Sequence, residues 1–230
     1  MIVAIHQPQY LPWLGYFDKI DRADLFVFLD TVQYKKNEWQ NRNRIKTAQG
    51  TQWLTVPVLY RFPERILEVG INPRVNWARK HLQALRTNYA KARFFERCFP
   101  LFEDLYVREW ERLVDLNVEC ARRLTQELGI DTPLRAASEF ELSEEPTDRL
   151  IDICRAVGAD TYLAGSGGHA YMDLSRFEAA GIEVLFQVFD HPVYPQLFGA
   201  FEPNLSLVDL LFNCGEESLR LIRGTREEEV

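Results

Sequence analysis

The chain has 230 residues, 47% hydrophobic and 13% aromatic, enough to bury ~70% of the surface its unfolded form exposes without disulfide or metal support. Its 27 basic residues against 34 acidic give a net charge of −7 and exclude a general nucleic-acid binder, which must neutralise many phosphates. No stretch reaches the ~18 uninterrupted apolar residues of a membrane span, and no secretory signal pattern opens the chain.

The first thirty residues predict strand, helix and strand. Ile2 to Ile5 is a short apolar run, the prolines of Gln7 to Pro12 forbid helix, and Leu14, Phe17, Ile20 and Ala23 recur at helical spacing. Leu25 to Leu29 is a continuous apolar run ending in Asp30, as in a strand buried on both faces of a parallel sheet. Gln52 to Leu59 and Ile66 to Ile71 predict a hairpin or edge pair. Helices follow from Pro73 to Tyr89, Phe94 to Tyr106 and Glu109 to Leu128, the last capped by Gly129. From Pro146 the α/β pattern returns: helix from Asp148 to Val157, strand from Asp160 to Ala164, helix from Leu174 to Ala180, strand from Ile182 to Phe189, and a final helix from Leu205. The whole predicts an α/β fold with a Rossmann-like, mainly parallel sheet. Its expected organisation is a single domain over residues 1–222, a helical insertion at about 73–129, and a frayed acidic tail at 223–230.

Ligands of open α/β sheets bind beyond the carboxyl ends of the strands, which picks out four polar loops. The first, after Ile5, offers His6, Gln7 and Tyr10. The second holds Asp30, Gln33, Tyr34, Trp39, Asn41, Arg42 and Arg44, and with Lys35, Lys36 and Lys46 concentrates positive charge in an acidic chain. Arg can pair an anion bidentately there, beside an aromatic face for a planar group. In the third, Gly165, Ser166 and Gly167 permit close backbone approach to a phosphate or oxyanion, with Tyr171 at its end. The fourth brings Asp190, His191, Tyr194 and Gln196. His6 with Asp30, or His191 with Asp190, fits a general base whose tautomer a carboxylate sets. In the last helix Cys214 is a candidate nucleophile between Asn213 and Gly215, with Asp209 one turn earlier. The cysteines lie 22, 34 and 60 residues apart with no CxxC pair, so no metal site and no disulfide framework is expected, and reduced thiols suit a cytoplasmic protein.

Six blocks in order carry a resemblance. They are His6-Gln-Pro-Gln-Tyr-Leu-Pro-Trp-Leu-Gly-Tyr-Phe-Asp-Lys-Ile20, Asp24 to Tyr34, Trp39 to Ile45, Trp53-Leu-Thr-Val-Pro57, His191-Pro-Val-Tyr-Pro-Gln196 and Leu205 to Gly215. Together they resemble the WbqC-like protein family over nearly the whole chain. The third loop departs from the family's usual Gly-Pro-Gly-Ala-Lys-Asp-Tyr, reading Gly-Ser-Gly-Gly-His-Ala-Tyr171, so the charges of the Lys-Asp pair are missing. The resemblance implies a role in surface-polysaccharide or amino-sugar biosynthesis, attaching an acyl or aminoacyl group such as glycyl to a sugar amine. The donor implied is a small molecule or a carrier-protein thioester, and the acceptor an amine, with a nucleotide-linked sugar the leading candidate. A weaker likeness joins residues 2 to 46 to the nucleotide-binding fold of adenylyl-transferring enzymes, although Trp13-Leu-Gly-Tyr16 stands where their His-x-Gly-His signature would be. A nucleotide-dependent adenylyltransferase or ligase, and a non-catalytic binding protein of glycan assembly, are the alternatives.

Overall fold

The structure, a computed structural model, describes residues 1–170 and 172–224, with His169 and Ala170 described by their backbone alone. Five parallel strands form the central sheet: β1 (Ile2–His6), β2 (Leu25–Phe28), β7 (Leu134–Ala136), β8 (Thr161–Ala164) and β9 (Glu183–Phe186), in the spatial order β7-β2-β1-β8-β9. Counting parallel strands alone, this is the order 3-2-1-4-5 of a doubly wound Rossmann-like sheet, with its switch between β1 and β8.

Alternation along the strands gives each face its own core. Ala4, Phe26, Phe28 and Leu163 face one apolar cluster. Val3, Ile5, Val27, Tyr162 and Ala164 face the other. On the first face lies α1 (Leu14–Asp21), whose Leu14, Tyr16, Phe17 and Ile20 are fully buried. The helices α2 (Trp77–Tyr89), α3 (Phe95–Val107), α4 (Leu113–Glu127) and α7 (Leu207–Cys214) share that cluster. The second face is covered by α5 (Pro146–Val157) and α6 (Leu174–Ala179). Each fully buried Leu, Ile or Phe contributes about 1.5–3 kcal/mol.

Several elements differ from the sequence reading, among them the strand β7, which it did not anticipate. Arg42 belongs to β3 (Arg42–Thr47), which pairs antiparallel with β4 (Gly50–Thr55), so the basic segment becomes a strand where a loop was expected. Its buried polar residues are satisfied from afar: Asn43 Nδ2 donates to the Leu11 carbonyl at 2.6 Å. A second small pair joins β5 (Val58–Leu59) to β6 (Gly70–Ile71). The helix expected from Pro73 begins at Trp77, because Asn76 accepts from Arg79 N and caps it there. The last helix breaks at Gly215 and resumes as α8 (Ser218–Arg223). Residues 225–230 of the expected tail lie outside the described residues.

Candidate functional site at the carboxyl edge of the sheet

The two ladders of β1 end at different residues. Pairing with β2 continues to His6 opposite Phe28, whereas pairing with β8 stops at Ala4 opposite Leu163. Beyond Ala4 the β1–β8 ladder is not continued, and in open α/β sheets the ligand crevice lies at such a switch point.

His6 stands at this crevice. Its ring packs on Tyr16 at 5.0 Å, and Gln9 Nε2 lies 3.3 Å from His6 Nε2. An amide N–H donating to Nε2 leaves the imidazole proton on Nδ1. That Nδ1 is buried without a partner, as are Gln9 Oε1 and Thr31 Oγ1 nearby in the chain's carboxyl-edge loops. Burial, then the charge of Lys19, lowers the His6 pKa to about 3, so the ring is neutral at neutral pH. The expected Asp30 partner is absent from it, because the Asp30 carboxylate accepts instead from Ser138 N at 2.9 Å and Ser138 Oγ at 2.6 Å. Asp30 thereby ties the end of β2 to the end of β7.

The first two loops meet directly. Gln40 Nε2 donates to Gln7 Oε1 at 2.7 Å, and Tyr10 N donates to the Trp39 carbonyl at 3.0 Å. Tyr10 itself turns into the core, fully buried, with its hydroxyl against His81 Nδ1 at 2.7 Å and against Tyr106 OH. Burial lowers the His81 pKa to about 4. Asn41 is likewise buried and donates to the Val56 carbonyl. Tyr34 is buried against Tyr60, and burial raises its pKa to about 12. Exposed Gln33 forms a bridge with Arg65.

Arg42 and Arg44 form a separate feature. Their guanidiniums lie 4.3 and 5.6 Å from the ring centroid of Trp53, and Trp39 packs against the same ring at 5.6 Å. Both tryptophans are exposed. This is a cation–aromatic face on the hairpin.

The fourth loop and α7 enclose a buried polar network. The Asp209 carboxylate accepts from Tyr89 OH at 2.8 Å, Tyr194 OH at 2.9 Å and Gln196 Nε2 at 2.8 Å. Lys46 Nζ donates to Gln196 Oε1 at 3.0 Å and to the Ala200 carbonyl. Burial raises the Asp209 pKa despite these donors. Asn213 donates back to the Asp209 carbonyl.

His191 is half-buried, and its Nδ1 lies 2.9 Å from the Pro192 carbonyl. A carbonyl only accepts, so Nδ1 carries the proton and the buried Nε2 keeps a free lone pair. The tautomer is therefore set by Pro192, where a carboxylate was expected; Asp190 is exposed. Burial lowers the His191 pKa. Cys214 is buried, and burial with Asp209 and Glu217 nearby pushes its thiol up to about 11.

Gly165 follows the end of β8 and precedes a 3-10 turn over Ser166–Ala170. A Cβ at Gly168 would stand 2.7 Å from Met172 Cε, the end of a flexible side chain that would have to turn aside. Tyr171 lies outside the described residues. Among the described residues no group of three or more His, Cys, Asp or Glu is placed to hold a metal.

Residues 7–221 match the WbqC-like protein family. The chain belongs to that family. An uncharacterized protein of Mycobacterium tuberculosis, Rv1507c, is 39% identical over 229 residues, covering 98% of this chain and 99% of the relative. No solved structure matches. In this WbqC-like chain the sequence reading passed over a buried charged residue beside His6, Lys19. It occupies a helix position between Asp18 and Ile20 and is 1% exposed, and nothing in the helical spacing marks a lysine there as buried. The separation of β1 from β8 is what reveals it. No helix among the described residues is long and apolar enough to cross a membrane.

Proposed function

We propose that this WbqC-like protein transfers an acyl or aminoacyl group onto the amine of an amino sugar in surface-polysaccharide biosynthesis. The observation that supports this most is a pair of neutral imidazoles at the carboxyl edge with opposite free atoms. His6 offers an N–H and His191 a lone pair. Acyl transfer to nitrogen uses both kinds of group. The amine attacks the acyl carbonyl, the new C–N bond forms, and the bond to the donor's leaving group breaks. His191 takes the proton that the amine gives up. His6 Nδ1–H holds an oxygen of the bound sugar substrate in place, and the N–H groups of Ser166 and Gly167 stabilise negative charge on the carbonyl oxygen. Family membership supports the substrate class, and the Trp39, Arg42 and Arg44 face suits the nucleotide part of a nucleotide-linked sugar.

The test is to incubate the protein with nucleotide-linked amino sugars and either a carrier-protein thioester or free amino acid with ATP, and to weigh the sugar product. A mass increase equal to one acyl or glycyl group, lost in His191→Gln and reduced ~10²-fold or more in His6→Ala, is expected. Release of AMP with no acylated sugar would favour adenylyl transfer. Binding of the sugar with no turnover under any donor would favour a non-catalytic role.

A further inference from the structure

The β1 carbonyls alternate sides. Those of Ile2 and His6 accept from Asp24 N and Leu29 N on the β2 side, and that of Met1 accepts from Thr161 N on the β8 side. Ile5 therefore turns its carbonyl toward β8, one residue after the β1–β8 ladder has ended. Lys19 Nζ fills the gap, donating to the Ile5 carbonyl at 2.9 Å with the Tyr162 ring 5.9 Å away. An ammonium has three donors and this carbonyl takes one. Asp18, beside it on α1, is held by Gln187 Nε2 at 2.7 Å. A fully buried positive charge with one neutral acceptor is costly unless an anion joins it.

We propose that Lys19 is the floor of an oxyanion site in the β1–β8 split, and that its ligand is a phosphoryl group of a phosphorylated substrate. A second unpaired donor, the His6 Nδ1–H, lies beside Lys19 at the end of β1. A tetrahedral oxyanion can meet donors from several directions, whereas a planar carboxylate meets them in one plane. Dinucleotide folds hold phosphate with a glycine-rich turn after the first strand. Here Gln7-Pro8-Gln9 occupies that place, so a side chain must supply the positive charge. The groups beside Lys19 are His6 from β1 and Tyr162 from β8, and burial keeps His6 uncharged at neutral pH. Burial also lowers the Lys19 pKa to about 7, and a bound oxyanion raises it again.

The inference rests on the crevice being the substrate site and is independent of which group is transferred. Sulfate is a suitable probe because it is tetrahedral and does not titrate near neutrality; acetate is its planar counterpart. In a pH-stat, sulfate added to the full chain at pH 8 should cause uptake of close to one proton per protein, falling to near zero at pH 6, with acetate bound more weakly. Lys19→Met should abolish the uptake and weaken sulfate binding at least ~tenfold, while Lys91→Met, at an exposed position, changes neither. Sulfate binding without proton uptake in the unaltered protein overturns the proposal whatever the variant does. So does unchanged affinity in Lys19→Met, or acetate binding with no sulfate binding. Sulfate binding with uptake but no acyl transfer would remove the transfer reading alone. Acyl transfer with unchanged KM in Lys19→Met would remove this inference alone.

Discussion

Two of the polar regions buried in this molecule are finished to different degrees. Around Asp209 a carboxylate meets three donors, and Lys46 has two acceptors of its own. In the loops after β1 and β2, His6 Nδ1, Gln9 Oε1 and Thr31 Oγ1 are buried and unpaired, and the Lys19 ammonium beside His6 has one carbonyl. Buried polar groups that are satisfied hold a fold together, while those left unpaired cost stability unless a ligand completes them. The contrast separates residues that look equally functional in the sequence: Tyr194, Gln196 and Asp209 close on one another, and His6 and Gln9 do not.

The sharpest way to break this contrast is in the closed network. Asp209→Ala would leave two phenol hydroxyls and an amide buried without their acceptor, and the urea midpoint should report a loss of roughly 3–5 kcal/mol. His6→Ala removes a group with a free atom and should cost about 1 kcal/mol or less by the same measurement. Similar losses at both positions would erase the distinction.

A second test uses pH. His81 sits in the core with a pKa of about 4 against the ordinary 6.5, so the unfolded chain binds a proton that the folded chain refuses. Stability should therefore fall as pH drops from about 6.5 toward 4, by up to roughly 3 kcal/mol from this residue. In His81→Phe that part of the slope should vanish, at the expense of the Tyr10 contact. An unchanged slope would place the acid sensitivity elsewhere, with His6 the next group to test.

The smallest effect is expected at Cys214. With its thiol pushed up to about 11, alkylation at neutral pH should be slow, and Cys214→Ala should keep acyl transfer within about twofold. Fast alkylation or trapped acyl adduct on this residue would return it to the reaction path.

Much of the sheet was legible because β1, β2, β8 and β9 are apolar runs bounded by turn residues. The edge strand β7 was not, since Leu134-Arg-Ala136 is three residues long with Arg135 exposed, too short to show a period. The strand β3 read as a polar loop because its buried residues are Asn43 and Lys46, whose partners lie at Leu11 and Gln196. Sequence spacing cannot see such distant acceptors. For the site, strand-end position marked His6 and His191, but pairing each with the nearest carboxylate failed. Asp30 accepts from Ser138, and His191 Nδ1 is bonded to the Pro192 carbonyl. Lys19 was invisible for a related reason, that its burial follows from where two strands part rather than from its own helix.

The central claim is that ligand enters the β1–β8 crevice while the core and the Asp209 network stay as they are. The chain has four histidines, so the imidazole nitrogen resonances of a ¹⁵N-histidine sample can be followed individually during titration with a nucleotide-linked amino sugar. The account predicts that His6 Nδ1 moves as its N–H gains an acceptor, and that His81, bonded to Tyr10 in the core, stays fixed. Saturation that leaves the His6 signal unmoved would contradict it.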